Sequence, residues 1–230
     1  MNNSDISTRC EAIIFDLDGT LLDTIDDLTD AMNAALANRG YPLRSVEECK
    51  NLVGEGTDVF AGGALPPDSR QPDIISNLIN EYRAEYAKMW THKTKPYPGI
   101  VKLLNDLADR HIPLAVLSNK RDAAVKEAVA YFLPNTQFSE IIGARNEIPL
   151  KPDAGAALSI AEKLGSRVQY TLFVGDTKTD MQTARSAGMI AVGVLWGFRT
   201  AKELKLNGAN HLVSRPEEIL NLPEISLPGI

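Results

Sequence analysis

The chain has 230 residues, with 24 Lys and Arg against 30 Asp and Glu, for a formal net charge of −6. That length suits one large domain or two modest ones. A hydrophobic content of 44% argues against disorder, and the acidic balance argues against a protein that grips nucleic-acid phosphates. The first nine residues are polar, lack the apolar stretch of a secretion signal, and read as a tail. The longest apolar run, near Ile190–Trp196, falls far short of the ~20 residues a membrane helix needs. Cys10 and Cys49 show no metal-type spacing and make no disulfide framework. These features lead us to expect a cytoplasmic protein, monomeric or homodimeric, with no membrane or nucleic-acid partner.

In chain order, Ala12–Phe15 (AIIF) comes first. It is a short continuous apolar run, the pattern of a parallel strand buried on both faces. From Asp23 to Lys95 the pattern turns helical. Ile25, Leu28, Met32, Ala35 and Leu36 follow helical spacing, and Gly40-Tyr41-Pro42 ends that helix. A glycine-rich piece (Gly54, Gly56, Gly62, Gly63) and a turn at Pro66-Pro67 follow. A second helix enters through Pro72-Asp73 and carries Ile74, Ile75, Leu78, Ile79, Tyr82, Tyr86 and Met89 at helical spacing. This predicts an all-helical module over 23–95, inserted into a core built from 1–22 and 96–230. Lys95-Pro96-Tyr97-Pro98-Gly99 is the return linker.

Beyond the linker, strand-like runs (Leu114–Leu117, Ile141–Ile142, Thr171–Val174, Ile190–Val194) alternate with helix-like ones. The latter are Gly99–Arg110, Ala123–Phe132, Ala154–Leu164 and Thr179–Ala187. Alternation of this kind predicts an α/β fold, a doubly wound (Rossmann-like) parallel sheet with helices on both faces. A helical insert over the carboxyl edge of such a sheet is placed to act as a lid.

Four motifs put polar groups at or near strand ends. Asp16-Leu17-Asp18-Gly19-Thr20 follows the first strand, where open α/β sheets bind ligands, though solvated turn aspartates would look the same. Val174-Gly175-Asp176-Thr177-Lys178-Thr179-Asp180 follows another strand, and Asp180 also suits a helix N-terminus on dipole grounds alone. Carboxylates from two strand ends would make an oxygen-rich site suited to Mg²⁺. Ser118 and Asn119 can hold a phosphate oxygen or cap a helix. Lys151, before Pro152, is a site cation or a surface lysine.

In this order, the four motifs resemble the haloacid-dehalogenase superfamily, specifically its small phosphatases with a helical cap between the first two motifs. The resemblance implies a Mg²⁺-dependent phosphatase for small phosphorylated metabolites. Asp16 would be the nucleophile that forms an aspartyl-phosphate, and Asp18 the general acid/base. Asp16, the Asp18 carbonyl and Asp176 would bind the metal, with Asp180 as a ligand or just behind. Ser118 and Asn119 would bind the phosphoryl group, and Lys151 would steady the nucleophile and the developing charge. Asp18 is expected to keep its proton through crowding by the other acids.

Val53-Gly54-Glu55-Gly56, Tyr97-Pro98-Gly99, Ser118-Asn119-Lys120 and Gly193-Val194 with Trp196-Gly197 resemble phosphoglycolate phosphatases more narrowly. Gly54 and Gly56 would then offer backbone N–H groups to a substrate anion, or form a plain turn. Glu55 should point away from that anion. Arg121 either starts a helix or binds an anionic tail. Trp196-Gly197 is expected to border the cap. His92, His111 and His211 show no ligand spacing. The alternatives are a phosphomutase of the β-phosphoglucomutase type, a pyrophosphatase, and a non-enzymatic receiver-like module carrying a phosphoaspartate.

Overall fold

The structure is a computed structural model that describes residues 10–225; the tail expected over the first nine residues lies outside that range. In chain order β1 (Ala12–Phe15) leads into β2 (Leu22–Asp23), then α1 (Ile25–Asn38), α2 (Val46–Leu52), α3 (Thr57–Ala64) and α4 (Pro72–Met89). The chain returns through β3 (Lys95–Pro96) to α5 (Ile100–Asp109), β4 (Leu114–Arg121), α6 (Asp122–Phe132), β5 (Glu140–Ala144) and α7 (Gly155–Lys163). It closes with β6 (Thr171–Gly175), α8 (Lys178–Ala187), β7 (Ile190–Val194), α9 (Ala201–Leu206) and β8 (His211–Val213).

The main sheet has the order β5-β4-β1-β6-β7-β8, and every pairing in it is parallel. Alternate side chains enter opposite layers, as the period of two requires. Ile13 and Phe15 pack with Leu103, Leu107 and Val125 of α5 and α6, whereas Ile14 packs with Ile160 and Met181 of α7 and α8. Both layers are apolar, which is why β1 reads as an unbroken hydrophobic run. The doubly wound parallel sheet is therefore present as expected.

The inserted helices have a core of their own, built on Leu28, Met32, Phe60, Leu78 and Tyr82. Two antiparallel strands, β2 and β3, form the neck through which the chain leaves and returns. Asp27, buried in α1, fastens the return: it accepts from the Lys93 and Thr94 backbone N–H groups and from Thr94 Oγ1 at 2.7 Å. Of the glycine-rich piece, Gly62 and Gly63 lie inside α3. The smallness of Gly63 serves packing, because a Cβ on it would lie 2.3 Å from Leu52 Cδ2 of α2. The polar segment Ser118–Arg121 continues β4, so this strand runs further than its apolar residues suggest. No helix among the described residues is long and apolar enough to cross a membrane.

Candidate active site

Neighbouring strands β1 and β6 send their next connections to opposite sides of the sheet, so a crevice opens beyond their carboxyl ends. Asp16 and Asp176 leave those strands directly, and Asp180 comes from the first turn of α8. One carboxylate oxygen from each lies within 4.8 Å of the others, and all three residues are buried. Two glycines permit this approach. Gly19 has φ +88°, and a Cβ on it would lie 2.4 Å from Asp176 Oδ2. A Cβ on Gly175 would lie 2.3 Å from Asp180 Cγ.

Donors hold each acid in place. Thr20 Oγ1 donates to Asp176 Oδ1 at 3.0 Å, and the Phe198 N–H donates to Asp176 Oδ2 at 2.7 Å. Asp180 closes a capping box on α8, its Oδ2 accepting from the Thr177 N–H at 2.9 Å and from Thr177 Oγ1 at 2.7 Å. Lys151 Nζ bridges Asp16 Oδ1 at 2.6 Å and Asp180 Oδ1 at 2.7 Å. Asn119 sets the lysine main chain: Lys151 N–H donates to Asn119 Oδ1 at 2.8 Å, and Asn119 Nδ2 donates to the Lys151 carbonyl at 3.0 Å.

Burial makes this cluster electrostatically unsatisfied. It pushes the Asp16 carboxyl up to about 7, with Lys151 opposing and Asp180 and Asp18 reinforcing the rise. Burial also raises Asp176 well above the ordinary carboxylate value, and Asp16 and Asp180 add to it. For Lys151, burial acts to lower the value, but Asp16 and Asp180 outweigh it and hold the ammonium above its usual range. One lysine thus serves several buried acids, and the donor set is oxygen throughout. A small hard dication fits such a set.

Asp18, besides crowding Asp16, makes an ion pair that the sequence did not suggest: its carboxylate takes Lys120 Nζ at 2.9 Å and 3.2 Å. Lys120 lies in the polar end of β4, where the pairing with β5 is irregular between Leu117 and Arg121 and the strand reaches the carboxyl edge of the sheet beside Asp18. Lys120 also reaches the cap, donating to Tyr86 Oη at 2.9 Å. Burial opposes its charge, but Asp18 and the Tyr86 and Tyr82 hydroxyls outweigh that and keep it protonated.

A cavity between core and cap completes the site. Asp16, Asp18, Ser118, Asn119 and Lys120 line it from the core; Gly54, Gly56, Thr57, Phe60 and Tyr82 line it from the cap. Lys151, Asp176 and Asp180 are buried against Asp16. Arg121 is not brought in: it stands exposed at the start of α6 and lines an adjoining groove with Arg83, Trp90 and Glu127. Glu55 turns to the core, where Lys178 Nζ lies 2.9 Å away. Cap and core also meet where Asn119 Nδ2 donates to the Gly54 carbonyl at 3.0 Å.

The sequence reading missed three residues. Lys120 was visible only as the third member of Ser118-Asn119-Lys120. Phe198 is buried in the hydrophobic core of the cap, and the Arg199 guanidinium donates to the Lys50, Asn51 and Val53 carbonyls at the end of α2. Trp196-Gly197 was expected to do this. Instead Trp196 Nε1 donates to the Thr20 carbonyl at 3.0 Å, and the cap contact falls to the next two residues.

The haloacid dehalogenase-like hydrolase family model matches residues 13–194. The chain belongs to that family. Within it, the chain is a phosphatase-type enzyme similar to phosphoglycolate phosphatases. It is 32% identical to the phosphoglycolate phosphatase of Agrobacterium fabrum over 199 residues, 84% of each chain. It is 29% identical to that of Vibrio parahaemolyticus over 222 residues, 93% of this chain and 96% of the relative. The solved structure of a candidate phosphoglycolate phosphatase from Lactobacillus delbrueckii subsp. bulgaricus superposes with a TM-score of 0.86 at 30% identity, over 92% of this chain and 97% of that one.

Proposed function

We infer that the protein hydrolyses small phosphomonoesters of the phosphoglycolate kind through an aspartyl-phosphate on Asp16. The observation that carries this is the Asp16–Lys151–Asp180 bridge, buried behind the wall that Asp16 gives to a cap-covered cavity. A carboxylate held by a buried ammonium is oriented for attack, and its charge is steadied as it meets an anionic phosphate.

The Asp16 carboxylate attacks phosphorus, and the ester oxygen leaves with a proton from Asp18. Asp18 then takes a proton from water, whose oxygen attacks the phosphoryl group and releases phosphate, restoring Asp16. Ser118, at the cavity wall, holds a phosphoryl oxygen, and the Asn119 amide, bonded to Lys151 and to the Gly54 carbonyl, positions the lysine and the cap beside it. Mg²⁺ bound by Asp16, Asp176 and the Asp18 carbonyl would neutralise the repulsion between carboxylate and phosphate. Asp180, which ties Lys151 to Thr177, would stand as a further ligand or just behind the metal. The helical segment 23–95 acts as the lid, with Gly54 and Gly56 facing the substrate.

Phosphate release over phosphoglycolate, pyrophosphate, nucleotides and sugar phosphates tests this. Phosphoglycolate or a similarly small ester should be turned over best, with activity lost on chelation and in Asp16→Asn. Undiminished release by Asp16→Asn would refute it.

A further inference from the structure

Lys120 stands at a crossing point in the molecule. Its Nζ holds both oxygens of Asp18, at 2.9 Å and 3.2 Å, and the hydroxyl of Tyr86 from the cap at 2.9 Å. The Lys120 and Asp18 side chains are 11% and 12% exposed, so the pair is dry enough to matter yet open to the cavity. Among the described residues lining that cavity, Lys120 is the cation. Lys151 is engaged between Asp16 and Asp180, and Arg83 and Arg121 line the neighbouring groove. The other walls are apolar (Leu28, Val53, Phe60), carboxylates, glycine backbone or uncharged polar side chains such as Thr57 and Ser118.

A substrate whose phosphorus meets Asp16 brings its ester oxygen to Asp18. Any anionic group a bond or two beyond that oxygen arrives beside Lys120. With no such group present, Lys120 keeps both Asp18 oxygens turned to itself. We propose that Lys120 is a specificity residue: it exchanges its ion pair with Asp18 for one with a carboxylate on the leaving group. Tyr86 holds the ammonium in place during the exchange. This rests on the phosphomonoesterase reading above and adds the selection among esters.

The test compares 2-phosphoglycolate with 2-hydroxyethyl phosphate, which is of similar size but has no carboxylate, on the full chain with Mg²⁺. The parent should favour the carboxylate by roughly tenfold to a hundredfold in kcat/KM, the scale of one charged hydrogen bond. Lys120→Met should erase most of that preference, and Lys120→Arg should retain part of it. A parent without preference overturns the proposal. So does a Lys120→Met protein in which both substrates slow equally and the ratio persists. If Lys120→Met does not fold, the parent ratio and Lys120→Arg still decide. If the parent hydrolyses no phosphomonoester, the underlying reading fails, and this proposal with it; that result is distinct from hydrolysis without preference.

Discussion

Lys151 Nζ lies 2.6 Å from Asp16 Oδ1, and this contact joins two residues 135 positions apart in the chain. Asp180, on the far side of the ammonium at 2.7 Å, fixes where the lysine points. Removing the charge with Lys151→Met should lower kcat by roughly 10²–10³-fold, the effect of losing one preorganised electrostatic partner. Asp180→Asn keeps a side chain at the start of α8 but loosens the bridge. It should lower kcat by a smaller factor and leave KM nearly unchanged. Steady-state kinetics of the two variants check the order.

The raised Asp16 value sets a pH dependence for metal binding. With Asp16 pushed up to about 7, the metal-free site holds a proton below that pH, and the proton must leave when a cation binds. Mg²⁺ affinity should therefore rise with pH through about 7, by up to roughly tenfold per unit for each proton released. Asp176, raised in the same direction, steepens the slope. Calorimetric titration of Mg²⁺ in buffers from pH 5 to 9 reads this directly. An affinity independent of pH would contradict it.

Gly19 makes a stability prediction. Ala at this position would adopt φ +88° and place its Cβ 2.4 Å from Asp176 Oδ2. The backbone strain alone costs about 1–3 kcal/mol, and the collision displaces Asp176. Gly19→Ala should lower Tm and, beyond that, weaken Mg²⁺ binding, as thermal melts with and without the ion would show.

Arg199 makes a prediction about the lid. Its guanidinium satisfies three carbonyls at the end of α2, and Phe198 beside it donates its N–H to Asp176. Arg199→Ala should speed amide exchange across 46–56 and raise KM. Unchanged exchange there would show that this contact does not hold the cap.

Much of this site was legible in the sequence because its signals are local. Asp16 and Asp18 stand right after one apolar run, and Asp176 and Asp180 follow another. Contacts between distant segments were not legible. The Lys120–Asp18 pair depends on β4 running on through four polar residues, which no hydrophobic pattern announces. Phe198 and Arg199 follow a strand end and look like loop; only the folded cap gives them partners. Gly63 stays small because Leu52 of α2 packs against it, a contact that no local pattern announces.

The central claim is the covalent intermediate on Asp16. Mixing the protein with excess phosphoglycolate and Mg²⁺, quenching within the first turnover and reducing with borohydride would convert an aspartyl-phosphate to homoserine. Peptide mass spectrometry should find that conversion at Asp16, dependent on both substrate and Mg²⁺ and absent in Asp16→Asn. Turnover with no conversion at Asp16, or with conversion at another carboxylate, would contradict the account.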